Sequence, residues 1–318
     1  MKKDLFLTLL VALFATLTFT GCKEDITDSE LGNYEVLTTY LKSNNLDIST
    51  VTSGFVMPAP ADGNLSAKWI MDIRSAADFA TAHIAGAHNV PFADILTTAA
   101  TADKPILVVC YTGQTACYAT SLLRLYGFSD AQALKWGMSG WNSQFDKWTA
   151  NCKDLTTESN WTSTATEAGS FDMPSWTSPT IDGASLLKER VEAAVAAGFK
   201  TAAGADVLAS PDSYYVNNFL SEAHYTGFGH VKNAVRVNPL SIDECAKLDP
   251  NAKVVTYCYT GQTSAVVTAY LNVLGFEAYS MTFGLNGVTT SNPFWTSGNV
   301  SNHWGHDSKS KDLPTVSN

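Results

Sequence analysis

Two short segments of this chain carry the residue types that nucleophilic sulfur chemistry needs, and they are nearly the same segment. Cys110-Tyr111-Thr112-Gly113-Gln114-Thr115-Ala116 recurs as Cys258-Tyr259-Thr260-Gly261-Gln262-Thr263-Ser264, at an offset of 148 and with six of seven residues identical. The thiolate is the reactive form of cysteine. Where a cysteine ends a buried strand and a tight loop leads into a helix, loop N–H groups and the helix start favour that form. Gly113 and Gly261 supply the backbone freedom the turn needs. Both thiols are therefore expected to ionise below roughly 8.5, the value for free cysteine, with no neighbouring cation required.

The elements that would position these loops repeat as well. Before each cysteine runs a short apolar segment, Ile106-Leu107-Val108-Val109 or Val254-Val255-Thr256-Tyr257, which suits a strand buried on both faces. After each loop, apolar residues fall at helical spacing: Ala119, Leu122, Leu123 and Tyr126, then Val266, Val267, Tyr270, Leu271 and Leu274. Gly127 and Gly275 stand where such helices would close. Leu125–Phe128 matches Val273–Phe276 at 148, while Trp136–Trp141 answers to Phe283–Val288 at 147. His83-Ile84 answers to His230-Val231 at 147, and Pro91 to Pro239 at 148. A period this long is a duplicated domain, not a solenoid unit of roughly 20–50 residues. Trp69-Ile70-Met71-Asp72 reads as a further strand. Strand, tight loop and helix make the repeating unit of an α/β domain.

At 318 residues the chain has room for two domains with cores of their own. With 45% hydrophobic and 16% charged residues it is globular in composition, and its net charge of −10 speaks against nucleic-acid binding. Lys2 and Lys3, the apolar run Leu5 to Phe19 and Gly21-Cys22 form an export signal ending in a cysteine. About 15 apolar residues are too few for a membrane span, which needs roughly 20. The expected division is a signal peptide at 1–21, a tether at 22–30, a first domain at 31–150, a connector at 151–180, a second domain at 181–300 and a loosely held polar tail at 301–318. The connector has 12 Ser or Thr in 30 residues and reads as a linker packed over the surface. Asp182 to Ala197 reads as a helix closed by Gly198 and opening the second domain, as Glu30 to Ser43 opens the first.

These segments resemble the rhodanese (thiosulfate sulfurtransferase) superfamily. The resemblance lies in the cysteine loop with its strand and helix, in Asp72-Ile73-Arg74 and in His83-Ile84-Ala85-Gly86-Ala87-His88-Asn89-Val90-Pro91. It covers most of 60–150 and, less fully, 205–290. It implies two rhodanese-like α/β domains, each a mostly parallel central sheet flanked by helices. Cys110 and Cys258 would take a sulfane sulfur as a persulfide and pass it to a thiol or cyanide. Tyr111, Thr112, Gly113, Gln114 and Thr115, with Tyr259, Thr260, Gly261, Gln262 and Thr263, would cradle the sulfur and its leaving group. No cofactor or metal is implied. Small residues followed by Cys22 resemble the lipobox of bacterial lipoproteins, which implies lipidation at Cys22 and a place at the cell envelope, on the periplasmic side. Two departures stand out. Thr115 and Thr263 are neutral where thiosulfate enzymes of the family often carry Arg or Lys. In the second copy Asn217 or Asn218 falls near the Asp72 position, and no Arg follows.

Two other functions fit the same loops. A non-catalytic module could bind a partner or sense redox state through an exposed thiolate. A cysteine phosphatase would need an Arg six residues after the cysteine, where Ala116 and Ser264 stand. Cys117 in the helix suits a packing residue better than a resolving thiol. Cys152 and Cys245 could pair or remain separate. His83 and His230 are expected to make structural hydrogen bonds, His303 and His306 to lie in a solvated tail, and Trp136, Trp141 and Phe283 to pack core and loops.

Overall fold

The computed structural model describes residues 32–317, so the signal peptide, the tether and Cys22 lie outside the described residues. Five strands, β1 (Val56–Met57), β2 (Trp69–Asp72), β3 (Ala87–Asn89), β4 (Ile106–Val109) and β5 (Gln132–Leu134), form one sheet in the order β1-β5-β4-β2-β3. All its neighbours run parallel. The connector contributes β6 (Trp161–Thr162). The second half follows with β7 (Thr201–Ala202), β8 (Tyr215–Asn218), β9 (His230–Val231), β10 (Val254–Tyr257) and β11 (Ala278–Met281). Its parallel sheet, β7-β11-β10-β8, repeats the first with one strand fewer. At the missing edge only Asn217 and Val235 form a parallel bridge, while β9 pairs antiparallel with β6. The Ser/Thr-rich connector is therefore part of the second half's secondary structure, not merely a linker laid over it.

The central strands β2, β4 and β10 are buried along their whole length because both faces are covered. In the first sheet Trp69, Met71, Ile106, Val108 and Ala133 point to one core, whereas Ile70, Leu107, Val109 and Leu134 point to another. The first of these cores is shared: Val254 and Ala278 of the second sheet enter it from the opposite side. Between the sheets lie the helices Asn33–Ser43, Gln114–Leu125, Gly183–Ala197 and Gln262–Val273, which pack on one another. Asp182 caps the third of them, its carboxylate accepting the Ser185 N–H at 2.9 Å. The two cysteine-loop helices pack on each other, and each carries small residues at equivalent positions of the repeat, Cys117 and Ser121 in one, Ala265 and Ala269 in the other. All four are fully buried, and the Ser121 hydroxyl donates to the Val266 carbonyl at 3.1 Å. Cys117 is thus a packing residue at the join between the copies, and burial holds its thiol well above the usual range.

The tail is not loosely held. Val316 and His83 exchange backbone hydrogen bonds at 2.8 and 2.9 Å, Leu313 N donates to Trp141 O at 2.9 Å, and the Trp141 indole donates to Pro314 O at 2.9 Å. Trp304 is buried against Trp136 and Trp148. A segment that is polar on average is fixed by two apolar anchors, Trp304 and Leu313, and by backbone pairing. Hydropathy averaging registers neither.

Candidate functional site

Cys110 and Cys258 each follow the last residue of a central strand, β4 or β10, at the carboxyl edge of the sheet. There the turn after the neighbouring strand clamps each loop. Met138 N donates to Cys110 O at 2.8 Å and Ser139 N to Tyr111 O at 2.9 Å; Leu285 N and Asn286 N bond Cys258 O and Tyr259 O at 2.9 and 3.2 Å. The clamp requires glycine. At Gly137 and Gly284, both at positive φ, a Cβ would lie 2.3 Å from Cys110 O and 2.1 Å from Cys258 O. The residues before them, Trp136 and Phe283, take up left-handed φ values of +67° and +60°. The repeated Trp/Phe-Gly pairs were the sequence signal for this clamp, though they read there only as packing.

The two sulfurs are held differently. Cys110 Sγ faces the N–H groups of Gly113 at 3.1 Å and Ala116 at 3.3 Å, the cradle expected of the loop. Cys258 Sγ instead has two hydroxyls as neighbours, Ser264 Oγ at 3.8 Å and Thr260 Oγ1 at 4.0 Å. Both residues are buried, at 6% and 2% exposure. For Cys110 the expected lowering of the thiol is reversed. Burial pushes it up and outweighs the pull of the Ala116, Thr112 and Gly113 N–H groups, with Asp72 adding to the rise.

Burial goes with an arrangement the repeat did not predict: the two copies meet at their cysteine loops. Gln262 Nε2 donates to Thr112 O at 3.0 Å, and Gln114 Oε1 accepts the Phe283 N–H at 2.8 Å. The loop glycines make room for this crossing. A Cβ on Gly113 would lie 2.5 Å from Gln262 Nε2, and one on Gly261 would lie 2.3 Å from Gln114 Oε1. Gln114 Oε1 and Gln262 Nε2 are therefore committed to the opposite copy and not to the sulfur beside them. Thr112 and Thr260 stay local, bonding Gln114 Nε2 at 3.2 Å and Gln262 N at 3.2 Å, and Thr115 and Thr263 remain partly exposed.

Around each loop tyrosine the copies diverge. The Tyr111 hydroxyl is raised by burial and then by its bond to Asp78, and the ring lies 5.2 Å from the Arg74 guanidinium and 5.3 Å from Lys147 Nζ. Arg74 forms a buried pair with Asp72, Nη2 to Oδ2 at 2.6 Å, and also donates to Ala82 O. Burial alone would lower the guanidinium, but the Asp72 carboxylate more than compensates. In the second copy Asn218 takes the Asp72 place. Its Oδ1 accepts Leu220 N at 3.0 Å as Asp72 accepts Arg74 N, and its Nδ2 donates to the buried Tyr257 hydroxyl at 2.7 Å. Tyr259 meets His224 Nδ1 at 2.5 Å among Phe228 and Trp295. One site is bordered by cations, the other by aromatic rings.

The remaining sequence expectations resolve simply. His83 Nδ1 bonds Phe79 O at 2.8 Å and His230 Nε2 bonds Thr164 O at 3.0 Å, both structural roles. Cys152 and Cys245 are free thiols; the first packs by the Trp136–Trp148–Trp304 cluster, the second lies in the core shared by the sheets.

Two parallel α/β units, each presenting a cysteine loop at the carboxyl edge of its sheet, define a protein of one duplicated domain. The Rhodanese-like domain family matches residues 58–144 and 219–291. The chain belongs to the rhodanese superfamily, with two such domains in tandem, and with that family comes a sulfurtransferase-type function. The thiosulfate sulfurtransferase GlpE of Pseudomonas fluorescens is 37% identical over 79 residues, covering 24% of this chain and 72% of that protein. GlpE of Pseudomonas putida is 38% identical over 84 residues, covering 26% and 76%. A solved thiosulfate sulfurtransferase from Pseudomonas aeruginosa aligns with 84% of this chain and 49% of its own, at 17% identity and a TM-score of 0.29.

Proposed function

We propose that Cys110 and Cys258 carry sulfane sulfur as persulfides, taken from a small donor of the thiosulfate or 3-mercaptopyruvate type and delivered to a thiol or cyanide. The observation that carries this reading is the pair of N–H groups, from Gly113 and Ala116, aimed at Cys110 Sγ. With thiosulfate, the Cys110 thiolate attacks the outer sulfur, the S–S bond of the donor breaks, and sulfite leaves with the bonding pair. An acceptor thiolate then attacks the terminal persulfide sulfur and regenerates the cysteine thiolate. Burial works against ionisation of Cys110 in the closed state, whereas the amide cradle works for it. Separation of the loops to admit donor and water removes the first effect and keeps the second. Lys147 beside Tyr111 provides positive charge for an anionic donor at the first site, the charge of Arg74 being matched by Asp72.

The protein would act outside the cytoplasm, on the periplasmic side of the cell envelope and held by lipid at Cys22. The basic start, the apolar run and Gly21-Cys22 support this. Mass spectrometry of the mature protein after exposure to thiosulfate, 3-mercaptopyruvate or polysulfide tests the chemistry. One retained sulfur adds roughly 32 Da, is removed by cyanide, and is lost in Cys110→Ser or Cys258→Ser according to which residue carries it. A second reading, a partner-binding module without turnover, is favoured by the burial of both sulfurs and the raised Cys110 thiol, which equally speak against the redox-sensing variant of it. Absence of persulfide on either cysteine would select it.

A further inference from the structure

A cavity of about 650 Å³ lies between the end of β5 and the C-terminal strap, and neither cysteine lines it. On one side are Lys135 and Trp136, the first residues past the strand; on the other is the strap turn with Asp307, Lys309 and Lys311. Lys135 is half-buried, which lowers its pKa, and its Nζ sits 5.6 Å from the centre of the Trp136 ring. Among the described residues its ammonium pairs with no carboxylate. Asp307, the acid in the wall, accepts the N–H groups of Asn302 at 2.9 Å and His303 at 2.7 Å, and its charge offsets only part of the effect of burial on Lys135. Lys311 Nζ donates to the Ala59 carbonyl, which leaves the ammonium groups of Lys135 and Lys309 against one aspartate at this cavity, in a chain whose net charge is −10.

A partly desolvated ammonium whose charge is only partly offset costs free energy that an anion would relieve. The volume falls in the range of small-molecule sites, roughly 300–1,000 Å³, well beyond what one inorganic ion fills. Its place at the carboxyl end of a parallel strand is where ligands of open α/β sheets bind. We propose that this cavity binds a small organic anion with a carboxylate or sulfonate head, held by Lys135 and Lys309, with its apolar part along Trp136 and Ala59. The site is separate from the sulfur cradle but adjoins it, since Met138 N, two residues past Trp136, bonds Cys110 O.

Titration of the full chain with benzenesulfonate and with benzoate, followed by tryptophan fluorescence, tests the site, with benzamidine as a cation of similar size. The expected result is a saturable change with either anion and none with benzamidine. Affinity should fall ~10-fold or more in Lys135→Met and in Lys309→Met, the loss of one charge-assisted contact. It should persist in the Cys110→Ser/Cys258→Ser double variant. Lys309 is exposed on the strap, so its replacement reports on the site even where Lys135→Met does not fold. No saturable anion binding, equal binding of benzamidine, indifference to both lysine replacements, or loss in the cysteine double variant would each overturn the proposal.

Discussion

If the loops shield one another's sulfurs, then loosening one loop should expose the cysteine of the other. Gln262→Ala is the cleanest perturbation. It removes the bond from Nε2 to Thr112 O, leaves that carbonyl without its donor inside the protein, and empties the space beside Gly113. The lost bond and orphaned acceptor together are worth about 2 kcal/mol. The reciprocal bond from Phe283 N to Gln114 remains, so the change weakens the contact without abolishing it. An energy of about 2 kcal/mol raises the population of separated loops roughly 30-fold. The assay is the rate of iodoacetamide labelling at Cys110, read by peptide mass spectrometry at neutral pH, alongside the urea unfolding free energy. Labelling should accelerate by about that factor, and Gln114→Ala combined with Gln262→Ala should act non-additively, since both side chains serve one contact. Unchanged labelling in a variant that has lost about 2 kcal/mol of stability would refute the reasoning: the contact would then hold the fold together without covering the sulfur.

Three further outcomes are expected. Gly137→Ala, at a positive φ, places a Cβ 2.3 Å from Cys110 O and 2.7 Å from Gly113 N and should cost about 3 kcal/mol or more in thermal or urea unfolding; Gly305→Ala, also at a positive φ but with open space around it, should cost only the backbone strain, about 1–2 kcal/mol. Arg74→Leu strands a buried Asp72 carboxylate and should destabilise by about 3–5 kcal/mol, whereas Asp72→Asn with Arg74→Leu reproduces the Asn218–Leu220 arrangement of the second copy and should recover much of that loss. Burial holds Cys110, Cys117 and Cys245 above the ordinary thiol range, so the unfolded chain releases these protons first as pH rises. Their contribution to stability is complete below roughly pH 8.5 and is lost as pH climbs above it toward the folded-state values, so urea midpoints should fall from neutral to alkaline pH, less steeply in Cys117→Ala.

The sequence alone carried the duplication, the βα unit around each cysteine, the helix read as Asp182 to Ala197 and closed by Gly198, and the structural role of His83 and His230. All of these are written in local patterns: a repeated heptapeptide, an apolar run before a glycine turn, a glycine where a helix ends. What tertiary structure alone decided is where the two loops point. Nothing in Gln114 or Gln262 distinguishes a side chain that cradles its own sulfur from one that reaches across to the other copy. That choice is made by the helices Gln114–Leu125 and Gln262–Val273 packing on each other, with the Ser121 hydroxyl bonded to the Val266 carbonyl. The same packing reversed the expected acidity of Cys110. Loop dipoles follow from local conformation and can be anticipated, whereas desolvation depends on what the rest of the molecule lays over the sulfur. The strap from Ser301 was missed for a related reason, because Trp304 and Leu313 acquire meaning only once Trp136 and Trp141 stand opposite them. Local pattern sets the chemistry a residue can offer; long-range contact sets the dielectric in which it must offer it.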